Sequence, residues 1–420
     1  MSETAAGVVS PPNIRRLALI LGGLAMFGPF SIDTIFPAFP QIGAQLAADR
    51  VAMQQTISVY LIAYALMSLV HGPLSDAIGR RKVILAGLAV FTAASVGCAL
   101  STSLPMLLAF RALQGLSAGV GLIVGRAVIR DVLHGDDAQR LMSQVSMIFG
   151  IAPAIAPIIG GWILGWSRWP AIFWFLVLFS AALFVAVWRG LPETHPPAAR
   201  LPLETRPLLR GYLGIFVNPR FQRLAAAGAF NFGALFLYIS SAPAFVIDIL
   251  HLNERQFGWF FVPTIGGMVL GAFVSGRTAG KVSGIRLAHL GFACCGVAMA
   301  ANVTYNAFAT PALPWAVLPM ILNAFGIALV FPILTLAILD MYPRQRGGAS
   351  SLQAFTGLVL HSLTAGVISP LLSGNALHLA LGAAAFTLIG WLFWRWELGA
   401  GLRVPERTAN SAAMVPTDQR

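Results

Sequence analysis

Charge is scarce in this chain. Asp, Glu, Lys and Arg make up 10% of its 420 residues, against 57% hydrophobic. A soluble domain carries about 25% charged residues, so a soluble fold of this length would have too little polar surface to present to water. Acids are scarcer still, 15 against 27 Lys and Arg, for a net charge of +12. In a soluble protein that excess would suggest nucleic acid. Here the basic residues fall between apolar runs, where they set topology, and no nucleic-acid partner is expected. Cysteine is nearly absent: Cys98, Cys294 and Cys295 lie inside apolar runs and read as packing residues, not as a disulfide or a metal set. No His/Cys/Asp cluster has metal spacing, and no Gly-x-x-x-x-Gly-Lys-Ser/Thr segment occurs, so neither a metal, a cofactor nor direct ATP hydrolysis is expected.

What the chain has in quantity is apolar length. A span needs about 20 apolar residues, and twelve such stretches are predicted over 16–38, 53–72, 83–101, 104–128, 141–165, 169–189, 222–247, 257–276, 286–307, 314–340, 349–372 and 376–396. The first is too long for a signal-peptide core and lacks a small-residue cleavage pattern, so it reads as an uncleaved span. An even number of spans puts both termini on one side. Of the basic residues, only Arg50, Arg168 and Arg255 fall in links on the opposite side, and Arg111 lies within a span; all the others are in the tails and the terminus-side links. That bias predicts cytoplasmic termini.

The longest link, 190–221, is rich in Pro and Arg and divides the spans six and six. The expected fold is an all-α polytopic membrane protein: a six-helix half over 14–189, a cytoplasmic central loop over 190–221, a second half over 222–397 and a cytoplasmic tail over 398–420. A weak echo relates the halves, because Pro37-Ala38-Phe39 near the end of span 1 matches Pro243-Ala244-Phe245 near the end of span 7. Gly79-Arg80 has a faint counterpart at Gly280-Lys281.

Four segments carry chemistry. Between spans 2 and 3, Gly72-Pro73-Leu74-Ser75-Asp76-Ala77-Ile78-Gly79-Arg80-Arg81-Lys82 combines turn formers at Gly72, Pro73 and Gly79 with a lone acid and a basic triplet. Asp33 is the only carboxylate well inside a span. An ionised Asp in hydrocarbon costs a few kcal/mol and needs a partner, water or a proton; the alternative is a side chain reaching the outer interface. On the triplet alignment Asp33 faces Ile239, so the acid belongs to one half only. Arg111, opening Arg111-Ala112-Leu113-Gln114-Gly115 in span 4, lies about 10 Å below the outer face at 1.5 Å per residue. Asp33 lies about 25 Å up a core roughly 30 Å thick. Both therefore fit one outer-half cavity, paired directly or through water, the alternative for Arg111 being an outward reach to the interface. In span 5, Gly150, Pro153, Pro157, Gly160 and Gly161 suit either a bent helix at a moving interface or simple tolerance of proline in a membrane helix.

These segments resemble the major facilitator superfamily and, within its drug:proton antiporters, the Bcr/CflA branch. Residues 72–82 are similar to its loop between helices 2 and 3, 111–115 to its helix-4 motif and 150–161 to its helix-5 antiporter motif. Residues 30–40, with Asp33 followed by Pro37-Ala38-Phe39-Pro40, are similar to the branch's helix-1 motif. The resemblance implies that Asp33 is the protonation site, that Arg111 modulates it, and that Asp76, Arg80 and Asp131 form a cytoplasmic latch closed in the outward-facing state. Two departures stand out. Ala25 occupies the position where some relatives carry a second acid, and Arg277 stands opposite Asp76 in the second half.

Tyr60, Tyr64, Asn231, Tyr238, Asn323, Gln353 and His361 are candidate walls of a substrate cavity, each with helix–helix contact as its alternative. The expected function is a proton-driven antiporter, monomeric and not an enzyme, exporting small amphipathic compounds or drugs by alternating access across a bacterial inner membrane. Its partners would be its small-molecule cargo, protons and the lipid bilayer. The alternative is a carrier of the same fold exporting a metabolite such as a sugar or amino acid. A membrane enzyme would need an acid, base or metal constellation at a membrane face, and none is visible.

Overall fold

The computed structural model describes residues 14–200, 202–278 and 281–401. Among them there is no strand, and twelve helices are long and apolar enough to cross a membrane: Ile14–Leu46, Arg50–Ser68, Arg80–Ala99, Leu104–Val132, Asp137–Leu164, Pro170–Gly190, Pro219–Ser240, Gly258–Thr278, Gly284–Phe308, Leu318–Met341, Arg346–Leu372 and Ala376–Ala400. They are numbered here as spans 1 to 12. Local chemistry fixes several starts. Asp49 caps span 2 by accepting from the Ala52 amide at 2.7 Å, Asn218 caps span 7 by accepting from Arg220, and Pro170 and Pro219 occupy first-turn positions where a missing N–H costs nothing. The last helix continues to Gly401 rather than stopping near 396. The rest of the expected tail, with Arg403, Arg407 and Arg420, and the expected echo at Gly280 lie outside the described residues.

Spans 1 to 6 pack chiefly on one another, and so do spans 7 to 12. The two sets meet where span 2 lies along span 11 and span 5 along span 8. The Pro-Ala-Phe triplets mark corresponding breaks. The first helix loses its α pattern after Asp33 and passes through a 3-10 turn at Phe36–Ala38, and span 7 gives way to a π turn at Ala244–Ile249. A proline in either triplet withholds an amide from the helix ladder.

Two expectations are corrected. The segment after span 2 is not a tight turn throughout: His71–Ile78 is a short helix with Gly72 and Pro73 in its first turn, and the chain reverses at Gly79 alone. Gly79 has φ 108° and ψ 147°, a region open to glycine and closed to other residues. The central loop also carries a helix of its own, Thr205–Phe216, hereafter the connector helix. Its Tyr212 and Ile215 pack on the start of span 11 at Gly348, and the Tyr212 hydroxyl donates to the Leu69 carbonyl at the end of span 2 (2.7 Å). Burial of the Tyr212 phenol raises its pKa, so the hydroxyl keeps the proton it donates.

Candidate functional site

Asp33 is the last residue of the first helix, and it is 4% exposed. No hydrogen bond or ion pair reaches its carboxylate from any described residue. The carboxyl end of a helix carries partial negative charge, so the position offers an ionised Asp33 no compensation. The carboxylate therefore calls for a proton, a cation or water from outside the protein.

Arg111 is fully buried, yet it does not pair with Asp33. Its Nη1 donates to the Ser31 carbonyl (3.0 Å), the Ser31 hydroxyl (3.1 Å) and Gln114 Oε1 (2.7 Å), and its Nε donates to the Thr56 carbonyl (3.1 Å). Gln114 in turn donates to Ser95 Oγ at 2.8 Å, so one guanidinium network joins spans 1, 2, 3 and 4. Of the two expected arrangements, direct or through water, the direct one is absent, and azimuth rather than depth separates the groups. Side chains two apart on a helix point about 200° apart, and Arg111 holds Ser31, two residues before Asp33. Tyr60 neighbours both groups: the guanidinium lies 4.5 Å from its ring centre, and the residue is within electrostatic reach of Asp33. Arg111 Nη2 has no hydrogen-bond partner.

This arrangement makes Arg111 structural as well as functional. Arg111→Ala strips partners from Ser31, Gln114 and the Thr56 carbonyl in a dry interior. It is expected to lower stability by about 3 kcal/mol or more. Arg111→Lys keeps the charge but not the planar fork, and its expected loss is about 1–2 kcal/mol. Thermal unfolding of the purified variants checks both the order and the size.

At the terminus face, Asp76, Arg80 and Asp131 do meet. Arg80 forms an ion pair with Asp76, and its Nε lies 3.0 Å from Asp131 Oδ2. Ser75 Oγ accepts from Arg80 Nη1 at 2.6 Å, Glu193 accepts from the Arg80 amide at 2.9 Å, and the Thr194 hydroxyl donates to Asp131 at 3.1 Å. Every member comes from spans 1 to 6 or the link just after them. As formed here, the cluster ties the turn at Gly79 to the end of span 4 and the start of the central loop, and among the described residues no group from spans 7 to 12 joins it. Glu193 and Thr194 were missed in the sequence, where they stand in a Pro-rich link with no periodic pattern.

Direct bonds between the two sets of spans gather at the opposite face. Arg50 and Asp248 form an ion pair at 2.8 Å; Gln54 donates to the Ser240 carbonyl at 2.8 Å; Gln55 donates to the Gly366 carbonyl at 2.9 Å; and Arg255 donates to the Gly165 carbonyl at 3.1 Å. Ser58 Oγ sits 3.0 Å from Ser362 Oγ, and each serine is also within bonding reach of the other's carbonyl. Gly366 lies in a π turn, Thr364–Ile368, in span 11. A Cβ at Gly161 would strike the Glu254 carbonyl, so span 5 can meet the other half there only through glycine. This face is shut. At the terminus face the described hydrogen bond between the halves is that of Tyr212, made through the connector helix.

The expected cavity residues divide. Tyr60 and Tyr64 meet edge-on with ring centres 6.5 Å apart, and Tyr64 lies within electrostatic reach of Arg126. His361 lies between Phe232 and Phe236, stacked on the latter at 4.6 Å, with Nε2 unpartnered. Asn231 Oδ1 and both side-chain polar atoms of Asn323 are buried and unpartnered. Tyr238 instead accepts from Asn302 at 2.8 Å, and Gln353 donates to Thr335 at 2.9 Å; both are helix–helix contacts within the second half. In span 5, Pro153 and Pro157 sit inside a continuous helix. Gly160 abuts the Thr34 carbonyl just past Asp33, while Gly150 faces open space.

Twelve apolar helices in two sets, with a broken first span and a buried carboxylate that lacks a partner among the described residues, have the architecture of a membrane transporter. The model of the Major Facilitator Superfamily matches residues 19–365, and the chain belongs to that superfamily. It is 30% identical over 370 residues to the uncharacterized MFS-type transporter YdgK of Bacillus subtilis, covering 87% of this chain and 91% of that one. It is also 30% identical over 264 residues to the bicyclomycin resistance protein homolog of Haemophilus influenzae, covering 63% and 66%. Its fold is similar to the crystal structure of the human organic anion transporter MFSD10 (TETRAN), with a TM-score of 0.68 at 17% identity over 92% of this chain and 100% of that one.

Proposed function

We propose that this transporter exports small amphipathic compounds, drugs among them, from a bacterial cytoplasm in exchange for protons, with Asp33 as the protonation site. The observation that carries the reading is the buried Asp33 carboxylate with no internal partner, placed where span 1 breaks. Similarity to a protein named for bicyclomycin resistance supports drugs as the cargo class. With the termini in the cytoplasm, as the basic residues direct, the shut face is the outer one and the conformation here faces inward. Asp33 then gives up its proton to the cytoplasm as cargo binds. Rocking of the two six-helix sets exposes it to the outside, where a proton displaces the cargo. Arg111 Nη2 is the donor free to meet the ionised carboxylate or the cargo. The proton gradient is the energy source, one chain suffices, and no cofactor is needed.

A growth-protection panel in a pump-deficient bacterial host tests this reading. Expression is expected to protect against a subset of amphipathic antibiotics, and a protonophore is expected to remove that protection. Protection that survives the protonophore would overturn proton coupling. Relief of a metabolite-overloaded strain with no drug protection would replace drugs by a metabolite.

A further inference from the structure

The connector helix Thr205–Phe216 has two apolar faces, and only one is used. Tyr212 and Ile215 are buried against the bundle. Leu209, Leu213 and Phe216, at helical spacing on another face, are 60%, 53% and 40% exposed, and Val217 follows at 65%. The helix lies beside the starts of spans 7 and 11, at Pro219 and Arg346.

Basic charge gathers beside it. Arg206 and Arg210 are exposed on the helix, Arg344 is exposed on the turn before span 11, and Arg346 is exposed at the first residue of that span. None of the four has an ion-pair partner among the described residues, whereas the neighbouring Arg220 and Arg223 are both satisfied by Glu397. Between helix and turn runs a groove of about 410 Å³, lined by Pro207, Arg210, Gly211, Gly214, Tyr342 and Gln345 among others, with no carboxylate in its walls. Gly211 and Gly214 leave open space in front of the backbone. Tyr342 accepts from Asn218 at 2.8 Å, and burial raises its pKa, which leaves its O–H free to donate into the groove.

We propose that this groove seats the headgroup of an anionic phospholipid. Arg210, Tyr342 and Gln345 donate to the phosphate, Arg206, Arg344 and Arg346 supply the surrounding field, and Leu209, Leu213 and Phe216 lie against the acyl chains. The chemistry is that of a basic pocket at the cytoplasmic membrane surface. It rests on the inward placement of the termini proposed above, but not on the identity of cargo or coupling ion. Because Tyr212 ties the same helix to Leu69, the lipid binds at a point that also joins the two halves.

The test uses the full chain in nanodiscs of phosphatidylcholine with and without phosphatidylglycerol. Retained lipid is counted by native mass spectrometry, and thermal unfolding is measured in parallel. The wild type is expected to retain phosphatidylglycerol and to melt higher in its presence. Arg210→Gln with Arg346→Gln, both at exposed positions, is expected to reduce that retention by about tenfold or more, while its melting in pure phosphatidylcholine stays at the wild-type value. Equal retention by the variant, or a melting loss of the same size in both lipids, would overturn the proposal. So would full competition by millimolar inorganic phosphate, which would mark a simple anion site. Transport activity is not the readout, so failure here is separate from failure of the antiporter reading.

Discussion

Asp33→Asn is expected to abolish uphill export while leaving the protein as stable as the wild type or more so. A one-unit pH gradient supplies about 1.4 kcal/mol per proton. A one-for-one exchanger can therefore hold about a tenfold cargo gradient. With Asn the carboxyl can no longer take and release a proton, and the gradient in proteoliposomes should collapse to equality, although downhill exchange can persist. Asp33 makes no hydrogen bond or ion pair that Asn would lose, and the neutral amide removes the need to compensate a buried charge. Coupling and folding are thereby separated. A variant that still concentrates cargo against its gradient would refute the role of Asp33. A variant whose melting temperature falls sharply would show the carboxylate to be a structural group.

The parts of the molecule legible in the sequence are those written as local patterns. Apolar runs longer than a span can only be spans, so the twelve helices fall close to the expected places. The charges around Gly79 are read off directly, because Asp76 and Arg80 stand only four residues apart on either side of the reversal. Asp33 stands out because an acid in an apolar run needs a reason. Depth along the membrane follows from residue counting, and it places Asp33 and Arg111 at similar heights. Counting says nothing about rotation around the helix axis, and there the direct form of the expected pair gives way to a bond with Ser31. The connector helix is hidden by its proline and two arginines, and its short apolar period resembles a link more than a span. For Tyr238 and Gln353 the sequence leaves cavity wall and helix contact both open, because their partners, Asn302 and Thr335, lie on other helices. The bonds that shut the face opposite the termini were invisible for the same reason, since each joins groups far apart along the chain and several end on a backbone carbonyl.

Those bonds give the other large expected effect. Ser58→Cys combined with Ser362→Cys should yield a transporter that is active when reduced, silent when oxidised and active again after reduction. The two hydroxyl oxygens are 3.0 Å apart, and two sulfurs on the same Cβ atoms come within reach of a 2.05 Å bond with little movement. The link joins span 2 to span 11 across the face that must open, and rigid-body rocking cannot proceed through a covalent bridge. Cys98 and Cys295 are buried, so only the partly exposed Cys294 needs replacement by Ser to leave a clean background. The matching control lies within one half: Thr92 and Ser180, on spans 3 and 6, have hydroxyls 2.8 Å apart, and a disulfide there should leave transport intact. Silence in both oxidised proteins would point to general stiffening or damage. Silence only for the 58–362 pair would tie the cycle to opening of that face, and full activity of the oxidised 58–362 protein would show that transport does not require it.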